Sequence, residues 1–141
     1  MRLVHVSAAF VLAFVGTFLT GSAAEAHQCI QVELVEVPQS AVAGEPARVH
    51  VAVKNCGEAT RAGLDFYLVH QEGRIHVGSE RVRLRVDGGE RVHTAIRIPP
   101  NTRPGRYSLL VIGRTPSGFT SIDQEVIHIR AADPPPEHPQ H

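Results

Sequence analysis

Residues 43–57 read AGEPARVHVAVKNCG. A turn, Ala43-Gly44-Glu45-Pro46, opens a run in which Val49, Val51 and Val53 alternate with Arg48, His50, Ala52 and Lys54. Period-two alternation in β-branched residues predicts a strand with one face in a core. Asn55-Cys56-Gly57 closes the run as a turn.

Upstream, Ile30 begins a second run (residues 30–37) that fits against the first as an antiparallel partner. With Val32 facing Val53 and Leu34 facing Val51, Cys29 falls opposite Cys56. These are the chain's two cysteines. In an oxidising compartment that register predicts one disulfide, Cys29–Cys56, closing a loop worth about 3 kcal/mol. The rival reading is a pair of metal-binding thiolates. Neither a CxxC spacing nor further cysteines support it.

Downstream the same alternation recurs. Leu64, Phe66 and Leu68 alternate with Asp65, Tyr67 and Val69, and Gln71-Glu72-Gly73-Arg74 turns the chain into a short edge strand at residues 75–77. Val82, Leu84 and Val86 alternate with Arg81, Arg83 and Arg85. Asp87-Gly88-Gly89-Glu90 then has hairpin chemistry, setting Val86 against Val92 and Leu84 against Thr94. In the next strand Val92, Thr94, Ile96 and Ile98 point inward, and Arg91, His93, Ala95 and Arg97 outward. Residues 107–113 are apolar on both faces, as in a central strand. Tyr107 fits core packing or a tyrosine corner. Residues 120–130 form the last strand, with a phase slip at Glu125-Val126-Ile127 that predicts a bulge. No segment has a helical period. About seven strands at regular spacing predict an all-β, immunoglobulin-like, two-sheet antiparallel sandwich.

The ends differ from this body. Met1-Arg2, an apolar run over residues 6–19 and Ala24-Glu25-Ala26 have the form of a secretory signal peptide spanning 1–26. The apolar run is shorter than the ~20 residues a membrane span needs. The sandwich domain then occupies 27–130, in the periplasm or outside the cell, with no membrane span after cleavage. Residues 131–141, holding Pro134-Pro135-Pro136 and Pro139, are expected to be an extended, mobile tail. The chain has 14 basic and 14 acidic residues. Cleavage removes Arg2 and Glu25, so the mature protein stays neutral, which argues against nucleic acid as the partner. Met1 is the only methionine, which excludes a Met-rich Cu(I) site.

Two stretches, GEPARVHVAVKNCGEATRAG (residues 44–63) and IPPNTRPGRYSLLV (residues 98–111), resemble the bacterial cell-adhesion-related family called CARDB. The resemblance covers about residues 30–130. It implies an immunoglobulin-like module with a binding or scaffolding role and brings no catalytic residue. Where that family often has an acidic, Asn-rich stretch, this chain has Ser117-Gly118-Phe119-Thr120-Ser121-Ile122-Asp123.

The sequence offers no catalytic motif: G-x-S-x-G does not occur, and Ser79 and Ser117 stand in turn-like contexts. A non-enzymatic module is therefore expected. Its candidate site is a basic face. If the first, second, fourth and fifth strands share a sheet, as in this sandwich class, then Arg48, His50, Lys54, Arg81, Arg83, Arg85, Arg91, His93 and Arg97 share one surface. That surface would suit an anionic partner, such as an acidic polysaccharide, a phosphorylated surface polymer or an acidic protein. Binding would weaken with salt and strengthen as His50 and His93 gain charge at low pH. The alternative is copper. Cleavage after Ala26 makes His27 the first residue, and its amine and imidazole together suit Cu(II). If cleavage falls after Ala24, His27 is instead a third-position histidine, another Cu(II) or Ni(II) chelator. No other cofactor is implied.

Overall fold

The computed structural model describes residues 29–133. Within them the chain is an all-β sandwich of eight strands: β1 (Ile30–Glu36), β2 (Ser40–Val42), β3 (Pro46–Asn55), β4 (Thr60–His70), β5 (Gly73–Leu84), β6 (Gly89–Arg97), β7 (Gly105–Arg114) and β8 (Thr120–Arg130). Three strands form one sheet, in the order β1-β3-β6. Five form the other, in the order β2-β8-β7-β4-β5.

The opening stretch behaves as its alternation requires. Val49, Val51 and Val53 are buried, while Arg48 and Lys54 on the opposite face are exposed. β1 pairs antiparallel with β3, Val32 opposite Val53 and Leu34 opposite Val51. The disulfide Cys29–Cys56 closes the end of that ladder, its Cα atoms 5.1 Å apart. Across the interface Leu64, Phe66 and Leu68 of β4 and Leu109 and Val111 of β7 complete the core, all at 0% exposure. β7 lies between β8 and β4, the central place that its two apolar faces predict.

Four features depart from the sequence reading. Residues 75–77 are not a separate strand. They belong to the long β5, which pairs with β4 over its whole length through the two-residue turn Gln71-Glu72, with a register shift at Phe66/Tyr67. Residues 40–42 form an additional strand, β2, which pairs parallel with β8.

The third departure is topological. Asp87-Gly88-Gly89 is not a hairpin. β5 ends at Leu84 and β6 begins at Gly89 in the other sheet, so the segment is a crossover. Leu84 pairs with Thr60, and Thr94 and Val92 pair with Val49 and Val51. Val86 is left 62% exposed. Asp87 takes a left-handed φ of 51°. Asn55, 4% exposed, holds the crossover in place. Its side-chain amide donates to the carbonyls of Glu58 and Arg85 at 2.7 and 2.8 Å, and its backbone N–H donates to the Gly88 carbonyl at 2.8 Å. Its Oδ1 accepts the Gly57 N–H at 3.2 Å. Every polar group of this buried side chain has a partner, as burial demands.

The fourth concerns β8, which pairs with β7 in unbroken register, without a bulge. Ser121 and Asp123 are in phase with the buried Ile127 and Ile129, so polar side chains stand on the inner side of the strand. They reach the free edge of β1. Ser121 Oγ accepts the Val32 N–H at 3.1 Å, and Asp123 Oδ2 accepts the Leu34 N–H at 2.8 Å. What looks in sequence like a slipped phase is a side-chain seam between the two sheets.

Tyr107 fills both of its predicted roles. It is 7% exposed, and its hydroxyl donates to the Arg103 carbonyl at 2.8 Å.

Candidate anion-binding faces

Because β5 joins β4, the basic residues divide between opposite faces of the sandwich. Arg48 and Lys54 of β3 and Arg91, His93 and Arg97 of β6 stay together on the outer face of the three-stranded sheet. Arg81 and Arg83 lie on β5, in the other sheet. Arg85 sits in the crossover and belongs to neither face. The single nine-residue surface is therefore not formed. Its premise, that the strand carrying Arg81 to Arg85 sits beside β6, fails at the crossover.

On the three-stranded sheet the cations are staggered. Arg48 is opposite Ala95, Ala52 opposite Arg91, and Lys54 opposite Gly89. His50 and His93 are directly opposite each other, their rings stacked with centroids 3.9 Å apart at 26°. Glu36 Oε2 lies 4.0 Å from His50 Nδ1. His50 Nε2 is buried without a hydrogen-bond partner among the described residues. A groove of about 640 Å³ runs beside this pair, lined by Glu36, Arg48 and both histidines among others. The face is mixed in sign, since Glu33 and Glu36 of β1 border it. The two histidines pack on each other instead of projecting separately toward a partner.

The five-stranded sheet carries a purely cationic group that sequence reading missed in part. Arg61 of β4 is directly opposite Arg83 of β5. Two residues along, Gly63 is flanked by Arg81 of β5 on one side and Arg114 of β7 on the other. All four arginines are exposed. They line one open groove of about 570 Å³, with Thr115 and Pro116 at its rim. None of the four forms an ion pair with another described residue. The nearest carboxylate along β4, Asp65, is held by His76 Nε2 at 3.0 Å. Beyond it Arg74 lies over the Tyr67 ring, 4.6 Å from the centroid. The rim is braced. Thr115 Oγ1 lies 2.8 Å from Ser117 Oγ and accepts the Phe119 N–H at 3.1 Å.

Arg61 was legible in principle. It is in phase with Gly63 and Asp65 once β4 is extended back to Thr60. Arg114 follows Ile112 in the same way. What brings them to Arg81 and Arg83 is the strand order β7-β4-β5. Ser79 lies within β5, opposite Asp65, and not in a turn. His27, residues 1–26 and the Pro-rich tail from residue 134 lie outside the described residues. Among the described residues no group of three or more His, Cys, Asp or Glu side chains is placed to hold a metal. No helix among them is long and apolar enough to cross a membrane.

No protein-family model matches the chain, and no curated protein matches it. Solved structures are similar at the level of the fold. The CARDB domain of the PF1109 protein from Pyrococcus furiosus, solved in complex with di-metal ions, superposes with a TM-score of 0.51 at 15% identity. The match covers 74% of this chain and 90% of that one. The fold is CARDB-like. The sporulation control protein Spo0M of Bacillus subtilis matches with a TM-score of 0.52 at 15% identity, over 75% of this chain and 50% of that one. A β-glucosidase from Listeria innocua, solved with glucose, matches with a TM-score of 0.53 at 16% identity over 72% of this chain. The chain spans 16% of that enzyme's length.

Proposed function

We propose that this protein is a non-catalytic, extracytoplasmic binding module that holds an anionic partner against the outer face of its five-stranded sheet. One observation carries the reading. Arg61, Arg81, Arg83 and Arg114 converge on one groove with no described carboxylate to neutralise them. Four guanidinium groups on neighbouring strands repel one another, and an anion relieves that repulsion while their planar forks bind its oxygens. The Cys29–Cys56 disulfide and the signal-like N-terminus support a location in the periplasm or outside the cell. The partner class is a surface polymer or protein bearing phosphate, sulfate or carboxylate groups.

The test is retention on a sulfated-polysaccharide column. Wild type should elute at higher salt than Arg81→Gln/Arg114→Gln. Arg48→Gln/Arg97→Gln, on the mixed face, should shift less. Equal elution of wild type and the Arg81/Arg114 variant would remove the five-stranded face from the reading.

A further inference from the structure

Within that groove, the position of Gly63 points to a narrower ligand. Gly63 is the one residue between Arg81 and Arg114, and it has no side chain. Two strand spacings separate the flanking Cα positions, about 10 Å. A Cβ built on Gly63 would meet nothing within 4 Å, so the space above its backbone is open. Its φ is not in the left-handed range, so the backbone does not require glycine there. The missing side chain leaves a gap in the outer face, walled by arginines on both sides and by the Arg61–Arg83 pair on the next outward row.

We infer that this gap is a seat for one tetrahedral oxyanion, the phosphate or sulfate group of an ester, bridged by Arg81 and Arg114 over Gly63. The inference rests on the reading of this face as the anion-binding one.

The chemistry favours a tetrahedral group over a carboxylate. A carboxylate presents two oxygens in one plane, and a single guanidinium fork occupies both. A phosphate or sulfate ester directs three terminal oxygens in different directions, so forks arriving from opposite sides each find a pair. A phosphate monoester also brings up to two negative charges to one point, matching the local excess of cations. The groove is open along the sheet, so the remainder of an ester leaves the seat without obstruction. Gly63 thus acts as a positioning element, admitting the anion to the depth at which both arginines reach it.

The test uses the mature protein, with inorganic phosphate, glycerol phosphate, inorganic sulfate and acetate as probes in separate calorimetric titrations at constant ionic strength. Phosphate, glycerol phosphate and sulfate should bind saturably and at least about tenfold more tightly than acetate, the equivalent of one charge-assisted hydrogen bond. Gly63→Val fills the gap with a residue suited to a strand. It should melt at or above the wild-type midpoint and lose that preference. Arg114→Gln, an exposed change, should lose it as well. Acetate binding as tightly as phosphate, or Gly63→Val binding phosphate like wild type, would overturn the seat. Exclusion of glycerol phosphate with retention of free phosphate would overturn the ester assignment. If the seat fails while wild type is still held on the sulfated column, the broader anionic reading stands. If the column also fails to retain wild type, both fall.

Discussion

Two glycines in adjacent strands show what a single missing Cβ decides. Gly63 of β4 faces outward into open space, whereas Gly113 of β7, its diagonal neighbour, faces the core. A Cβ on Gly113 would lie 2.7 Å from Val32 Cγ1, 3.3 Å from Leu64 Cδ2 and 3.5 Å from Ile30 Cδ1. All three neighbours are themselves packed, so the added methyl forces the two sheets apart locally. Gly113→Ala should destabilise the domain by about 1–3 kcal/mol in urea unfolding. Gly63→Ala, in open space and at an ordinary φ, should leave the midpoint at or slightly above wild type. A Gly113→Ala midpoint equal to wild type would mean that β1 shifts freely over β7. Asn55 carries a different lesson. Its sequence context marks a turn, yet its role is to satisfy three backbone groups, two from the adjacent Gly57 and Glu58 and one from the distant Arg85.

At the scale of elements, the free edges decide most. β1 is an edge strand, and unpaired edge N–H groups invite pairing with another chain. Here the N–H groups of Val32 and Leu34 are taken by Ser121 and Asp123, so the seam replaces the strand that is missing there. Asp123→Ala should therefore speed amide exchange at Leu34 by a large factor, while Val51 in the centre of the same sheet keeps its protection. Unchanged exchange at Leu34 would show that the seam does not close this edge. β5 illustrates the limit of local reading. Its residues have the alternation of a strand beside β6, but its partner is chosen by the two-residue Gln71-Glu72 turn, which folds it directly onto β4.

For the whole molecule, the disulfide and the sandwich core act separately. Cys29–Cys56 joins positions 27 residues apart in sequence, at one end of the β1–β3 ladder. Removing it should cost about 3 kcal/mol through the freed unfolded chain. The core, with Phe66, Leu64, Leu68, Ile96, Ile98, Leu109 and Ile127 fully buried, does not depend on that link. Reduced protein should therefore melt lower yet keep its β-sheet circular dichroism. Loss of all structure on reduction would show that the core is insufficient alone. The molecule as a whole is formally neutral, but its charge is unevenly placed. The five-stranded sheet holds the arginine quartet, which has no ion-pair partner among the described residues, and the three-stranded sheet mixes cations with Glu33 and Glu36.

Several properties follow from the sequence alone because their causes are local. Period-two alternation places Val49, Val51 and Val53 inside and Arg48 and Lys54 outside whichever strands lie alongside. The register of β1 on β3, and with it the cysteine pairing, follows from matching like face to like face over a few residues. Strand partnership across the molecule has no such local cause. Asp87-Gly88-Gly89 has turn chemistry that serves a hairpin or a crossover equally well, and only the competition of β4 for β5 and of β3 for β6 selects the crossover. That choice dissolves the predicted nine-residue face. It also assembles the quartet, because Arg61, Arg81, Arg83 and Arg114 become neighbours only when β4 is seated between β5 and β7.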